Sequence, residues 1–287
     1  MSVQGDTLRR FVGERVPAVP DAPPSRAILV GSGKGGVGTS LVAALLAISA
    51  ASRGARALLV DADEQLGALS LLFGVHPAAT LRSLRGGQTP PERVLVPLAP
   101  ELSLLPGGCD PAASGASPLS SAERGELLRR ASSLYPSFDL VVIDGGSRLD
   151  TMLGVCGAGV SRILAVTSAD HIAVAATYAL IKSVHLRFPA TSVEVLVNRH
   201  DDDTAARAYG QLHSASEHFL QRAIRSAGVV PEDASLRAAM GAGMTVQDAA
   251  LGSPAALAVA EVSARMLAEL GAGARDAAAP RRIQGRM

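Results

Sequence analysis

The chain contains no tryptophan, and aromatic side chains make up only 3% of its 287 residues. Proteins that grip single-stranded nucleic acid stack its bases on such rings, so this composition argues against that class. An excess of charge of one sign is missing too. Lys and Arg number 27 against 26 Asp and Glu, a net charge of +1 that supplies no broad basic face for nucleic acid. Two cysteines, Cys109 and Cys156, exclude a disulfide framework. The six histidines show no HExxH or other zinc spacing, and His213 and His218 would not share a helical face. A G-x-S-x-G nucleophile elbow is absent. No long hydrophobic run occurs: the longest, LVAALLAISAA at 41–51, is too short to span a bilayer and suits a buried helix. Nothing after Arg9 and Arg10 resembles a secretory signal. The expectation is a soluble cytoplasmic protein.

What is present is a large apolar fraction, 48%, enough to bury a substantial core. Residues 1–25 end in VPAVPDAPP, which favours extended chain and reads as a flexible leader and Pro-rich linker. From Arg26 onward, short Val/Ile/Leu runs recur: 27–30, 57–63, 102–108, 139–144, 162–168, 193–198 and 227–230. Runs that lack alternation belong to strands covered on both faces, as in a parallel sheet. The segments between them are long enough for crossover helices. The predicted fold is α/β, a doubly wound, mostly parallel sheet with helices on both faces, spanning 26–271. The basic tail at 272–287 lacks periodicity and is expected to be disordered.

After the first run comes ILVGSGKGGVGTS, residues 28–40. Gly33, Gly35, Gly36 and Gly38 let the backbone curl so that N–H groups converge, and a helix starting near Thr39 adds its positive end. Both attract phosphate without a side chain. The spacing follows the phosphate-loop pattern G-x-x-x-x-G-K-[ST], with Ser40 at the hydroxyl position that holds Mg²⁺, but Thr39 stands where the lysine belongs. A lysine there makes charge-assisted contacts to β- and γ-phosphates, each worth roughly 1.5–3 kcal/mol, so its loss costs roughly 10- to 150-fold in affinity. The alternative is a tight strand-to-helix turn with no ligand.

SGKGGVG, together with LLVDADEQLGALSLLFG, DLVVIDGG, TYALIK, VLVNR and GVVPEDASLRAAMGAG, resembles the MinD/ParA family of deviant Walker-A ATPases, and within it the flagellar-number regulators of the FlhG type. The resemblance covers about residues 27–270 with the motifs in family order. It implies ATP and Mg²⁺ as ligands and an ATP-dependent homodimer. Lys34 matches the signature lysine that reaches the partner's nucleotide. Gly33, Lys34, Gly35, Gly36, Val37, Gly38, Thr39 and Ser40 form the implied nucleotide loop. Asp61 and Asp63 match switch I; Asp63 is the candidate for orienting the attacking water, with Lys34 as its catalytic companion, and Asp61 is a metal candidate. Ala68 and Ser70 replace the asparagine and acidic residue that usually follow. Asp144 matches the Walker-B-like aspartate of the Mg²⁺ shell. Asn198 matches the adenine-binding asparagine, and Pro231, Glu232 and Asp233 the segment flanking the base.

Arg148, in Gly145-Gly146-Ser147-Arg148, falls near the implied γ-phosphate, either as a compensating cation or as a solvated loop arginine. Cys156 lies within a probable helix rather than just after the strand, unlike the cluster ligand of the related nitrogenase iron protein. Asp6, Leu8 and Arg9 match part of the N-terminal element by which FlhG proteins stimulate the flagellar targeting GTPase FlhF, so residues 1–11 are the candidate contact for that partner. RRIQGRM offers too small an apolar face for stable membrane anchoring, and peripheral association at the inner membrane face or cell pole rests on the resemblance alone. The functional expectation is an ATP-Mg-binding switch with weak or absent hydrolysis that places flagella or another structure through partner binding. The alternatives are a nucleotide-independent scaffold and a DNA-partition ATPase.

Overall fold

The computed structural model describes residues 26–63, 67–108 and 119–278, the last seven of these as backbone only. The leader with its FlhF-type element, Cys109 and the RRIQGRM segment lie outside the described residues.

In chain order the elements are β1 (Ala27–Gly31), α1 (Thr39–Ser52), β2 (Ala57–Asp61), α2 (Ala68–Leu72), β3 (Val96–Ala99), β4 (Leu102–Leu105), α3 (Ser121–Ala131), β5 (Leu140–Asp144), α4 (Leu149–Gly157), β6 (Arg162–Thr167), α5 (His171–Arg187), β7 (Ser192–Asn198), α6 (Asp202–Ala215), β8 (Arg225–Val230), α7 (Ala234–Gly241), α8 (Val246–Ala249) and α9 (Pro254–Ala278). The strands form one sheet in the order β3-β4-β2-β5-β1-β6-β7-β8. Every neighbouring pair is parallel except β3 with β4.

Alternation within each strand feeds two apolar layers. Ile28, Val30, Leu59, Val142, Leu164 and Leu196 face one layer, which α1 and α9 cover. Ala27, Leu29, Leu58, Val141, Ile143 and Val195 face the other, with α3 to α6 over it. Helix α1 is apolar nearly all round because it is sandwiched: one side meets the sheet and another meets α9, where the Ser263 hydroxyl donates to the Leu46 carbonyl at 3.1 Å.

Two features differ from the sequence expectation. β3 is an antiparallel edge strand that the expected strands did not include; its apolar stretch VLVPLA at 94–99 is interrupted by Pro97, which cannot donate to a ladder and which only an edge tolerates. α9 continues to Ala278, past the expected boundary at Gly271, because the alanine-rich ARDAA segment favours helix.

Candidate functional site

The sheet changes direction of growth around β1: β5 and β2 lie on one side, β6 and β7 on the other. Loops leaving the carboxyl ends of these strands therefore line a crevice, the usual ligand position in such sheets. Nearly every residue singled out by the sequence lies there.

The glycine loop is fixed from three directions. Gly36 and Gly38 take φ values of 81° and 93°, the left-handed region. Gly33 presses on α5 so closely that an added Cβ would lie 2.2 Å from the Ala176 carbonyl. Below the loop, Ser32 is fully buried. Its amide donates to the Gly146 carbonyl at 3.0 Å, and its hydroxyl reaches the carbonyls of Lys34 at 3.0 Å and Gly146 at 3.3 Å. Thr39 completes the set, donating to the Ser32 hydroxyl at 2.8 Å. The residue at the lysine position is therefore buried and turned into the base of the loop. Gly38 is the N-cap of α1 and no side chain caps that end, so the first-turn amides have no competitor for an anion.

Asp61 and Asp144 are register partners at the ends of β2 and β5, both fully buried. Asp61 accepts from the amides of Asp63 at 3.1 Å and Leu69 at 3.4 Å, so it organises the following turn. Burial, then the Asp144 charge, raises its pKa well above the usual carboxylate range. Asp144 accepts from the Gly146 amide at 2.9 Å through Oδ1, while its buried Oδ2 has no hydrogen-bond partner among the described residues. Burial pushes its pKa up to about 6, against the pull of the Ser40 hydroxyl, which lies against it. An orphaned carboxylate oxygen beside a hydroxyl fits Mg²⁺, which keeps most of its waters and needs few protein oxygens. Among the described residues, no group of three or more His, Cys, Asp or Glu could hold a metal by itself. Asp63 stands over Gly146, where an added Cβ would lie 2.8 Å from its Oδ2, so the segments that follow β2 and β5 approach each other.

The cations are less uniformly placed. Lys34 is exposed and its Nζ lies 3.1 and 3.3 Å from the Asp170 carboxylate. Asp170 caps α5 and also accepts from Ser168 and the Ala173 amide; these bonds, that from Ser168 foremost, hold its pKa below the usual range. Arg148, the candidate compensating cation, lies at the N-cap of α4. Its guanidinium forks onto Asp150 at 3.1 and 3.2 Å, the acidic residue in the first turn of α4.

At the far end of the loop, the nearly buried Asn198 donates its amide to the Val37 carbonyl at 2.7 Å. Gly38 must be glycine here, since a Cβ would lie 2.4 Å from Asn198 Nδ2. Asn198, Pro231, Glu232, Asp233 and Gly38 line one cavity of about 200 Å³, joined by Arg199. Asp233 itself is a cap: it accepts from the Leu236 and Ala255 amides and the Ser235 and Ser253 hydroxyls, tying α7 to α9. Glu232 pairs with Arg237.

Ser32, Asp170 and Arg199 escaped the sequence reading. Ser32 and Arg199 each had a visible cue, lying directly before Gly33 and directly after Asn198.

A family model described as the CobQ/CobB/MinD/ParA nucleotide binding domain matches residues 28–246. The antiactivator FleN of Pseudomonas aeruginosa is 30% identical over 249 residues, covering 85% of this chain and 86% of FleN. The flagellum site-determining protein YlxH of Helicobacter pylori is 29% identical over 155 residues, covering 54% of this chain and 52% of YlxH. Among solved structures, the septum site-determining protein MinD of Pyrococcus horikoshii, complexed with Mg-ADP, superposes with a TM-score of 0.68 at 21% identity, covering 86% of this chain and 98% of that one. This chain belongs to the CobQ/CobB/MinD/ParA nucleotide-binding family, as a MinD-like protein of the FlhG type.

Proposed function

We propose that this protein is a nucleotide-operated switch that binds ATP with Mg²⁺, hydrolyses it slowly or not at all, and sets the number or placement of flagella by binding partners. The observation that carries this reading is Thr39. The loop keeps its glycine curvature and uncapped helix end, while the residue that should neutralise phosphate charge is an uncharged side chain buried against Ser32. Occupancy survives on main-chain amides; rate enhancement of phosphoryl transfer depends on the missing electrostatic contact.

In this reading the loop amides bind the phosphates, and Ser40 and Asp144 hold Mg²⁺, which offsets phosphate charge when bound. Asp63 orients water at the γ-phosphate. Asn198 and the Pro231–Asp233 segment receive adenine in the cavity beside Gly38. Ser32, bonded to both the loop and Gly146, passes the loop's state to the segment after β5. The printed roles of FleN and YlxH, an antiactivator and a flagellum site-determining protein, support a flagellar output. Lys34 serves an ATP-dependent homodimer, residues 1–11 contact a FlhF-like GTPase, and the protein works in the cytoplasm, at the inner membrane face or the cell pole.

Equilibrium titration with labelled ATP, with and without Mg²⁺, tests the reading. It expects a saturable site whose affinity rises with Mg²⁺. A folded protein with no saturable site at millimolar ATP would instead be a nucleotide-independent scaffold.

A further inference from the structure

A polyphosphate ligand brings several negative charges, and the cations around the glycine loop differ in what already holds them. Lys34 faces Asp170, Arg148 faces Asp150 and Arg237 faces Glu232, each a carboxylate. Arg199 is the exception. Its Nη2 donates to the Gly36 carbonyl, a neutral acceptor in the middle of the loop, and among the described residues no carboxylate is paired with it.

Its position is set by the strand before it. Asn198 closes β7 and donates to the Val37 carbonyl, so two consecutive residues grip two consecutive loop carbonyls. The Arg199 backbone pays no attention to the usual preference: it holds φ at 65° while its amide donates to the Val230 carbonyl at 2.7 Å. Non-glycine residues keep that conformation where the surroundings over-determine it, and such positions cluster at ligand sites. Arg199 also lines the cavity with Asn198 and Pro231. A ligand with its base in that cavity and its phosphates on the loop amides must pass this side chain.

Resting on the nucleotide reading above, we propose that Arg199 supplies, from the end of β7, the phosphate-binding cation that the loop lacks at Thr39. A guanidinium presents five N–H groups in a planar fork and stays charged at any working pH. One N–H on Gly36 leaves others to bind phosphate oxygens in charge-assisted bonds. The ligand class is a nucleoside di- or triphosphate, with the contact falling on the phosphates nearest the base.

The test is calorimetric titration of the full chain with Mg-ADP and Mg-ATP. Wild type is compared with Arg199→Ala, Arg199→Gln, Thr39→Lys and the double variant, and each is melted without nucleotide. Arg199→Gln removes the charge and leaves a shorter polar side chain, whereas Arg199→Ala removes both. Both single Arg199 variants should bind on the order of 10- to 100-fold more weakly for both nucleotides. In the Thr39→Lys background the same change should cost several-fold less, because a cation is again on the loop. Equal losses in both backgrounds, or wild-type binding by Arg199→Gln, would overturn the role of charge and leave the nucleotide site standing. A wild type that binds neither nucleotide removes the site itself and this inference with it.

Discussion

Thr39 donates a hydrogen bond to Ser32 across 2.8 Å, and Ser32 in turn donates to the Gly146 carbonyl. The first residue of α1 is thereby joined, through one buried hydroxyl, to the segment that follows β5. Thr39→Val keeps the shape and removes the donor, and should destabilise the fold by about 0.5–1.5 kcal/mol in denaturant unfolding. Thr39→Lys has the opposite functional sign. It should tighten Mg-ATP roughly 10- to 150-fold, read by calorimetry.

Gly33 sits against the α5 backbone with no room for a methyl group, since a Cβ would meet the Ala176 carbonyl carbon and oxygen at 2.2 Å. Backbone cannot swing aside as a flexible side chain can. Gly33→Ala should cost on the order of 1–3 kcal/mol or more and displace the loop, giving a lower melting temperature together with lost nucleotide protection against heat.

The Lys34–Asp170 pair is exposed on both sides, at 40% and 44%. Such pairs contribute about 0–1 kcal/mol. Lys34→Ala should unfold within that margin of wild type, so any loss of nucleotide-dependent dimerisation, measured by light scattering, reports function and not folding.

Asp144 combines full burial with an oxygen that has no hydrogen-bond partner among the described residues. Its raised pKa, about 6, means that burial penalises the charged form at neutral pH. Asp144→Asn should therefore raise stability by up to roughly 3 kcal/mol. The same change should abolish the increase in nucleotide affinity with Mg²⁺. An unchanged Mg²⁺ response would remove Asp144 from the metal site.

Glu123 closes the capping box of α3, accepting from the Ser120 amide at 3.0 Å and hydroxyl at 2.9 Å and pairing with Arg85. The Ser120 amide bond first, then the others, lower its pKa from 4.5 to about 2. A depressed carboxylate adds stability above its unfolded pKa and loses it as pH falls. Melting temperature should decline between pH 4.5 and about 2, with a shallower slope in Glu123→Gln.

The sequence made the sheet legible where strands are buried on both faces, because unbroken Val/Ile/Leu runs such as 140–143 leave few alternatives. β3 was harder to read because Pro97 breaks its apolar stretch at 94–99, and a proline inside such a stretch argues against a strand unless it lies at an edge. Within the site, the loop glycines, Ser40 and Asp144 follow local spacing. Lys34, Arg148 and Arg199 do not, because an exposed cation's partner is chosen by tertiary neighbours. Asp170, for instance, meets Lys34 only because β1 and β6 are adjacent in the sheet.

Helix α1, which begins at the glycine loop, packs against α9 through Val259, Val262 and Met266, residues far downstream. During synthesis from the amino terminus, α1 leaves the ribosome well before α9 can cover it. Ribosome-bound chains that end before about residue 254 should therefore leave the α9-facing side of α1 uncovered, open to chaperones and proteases.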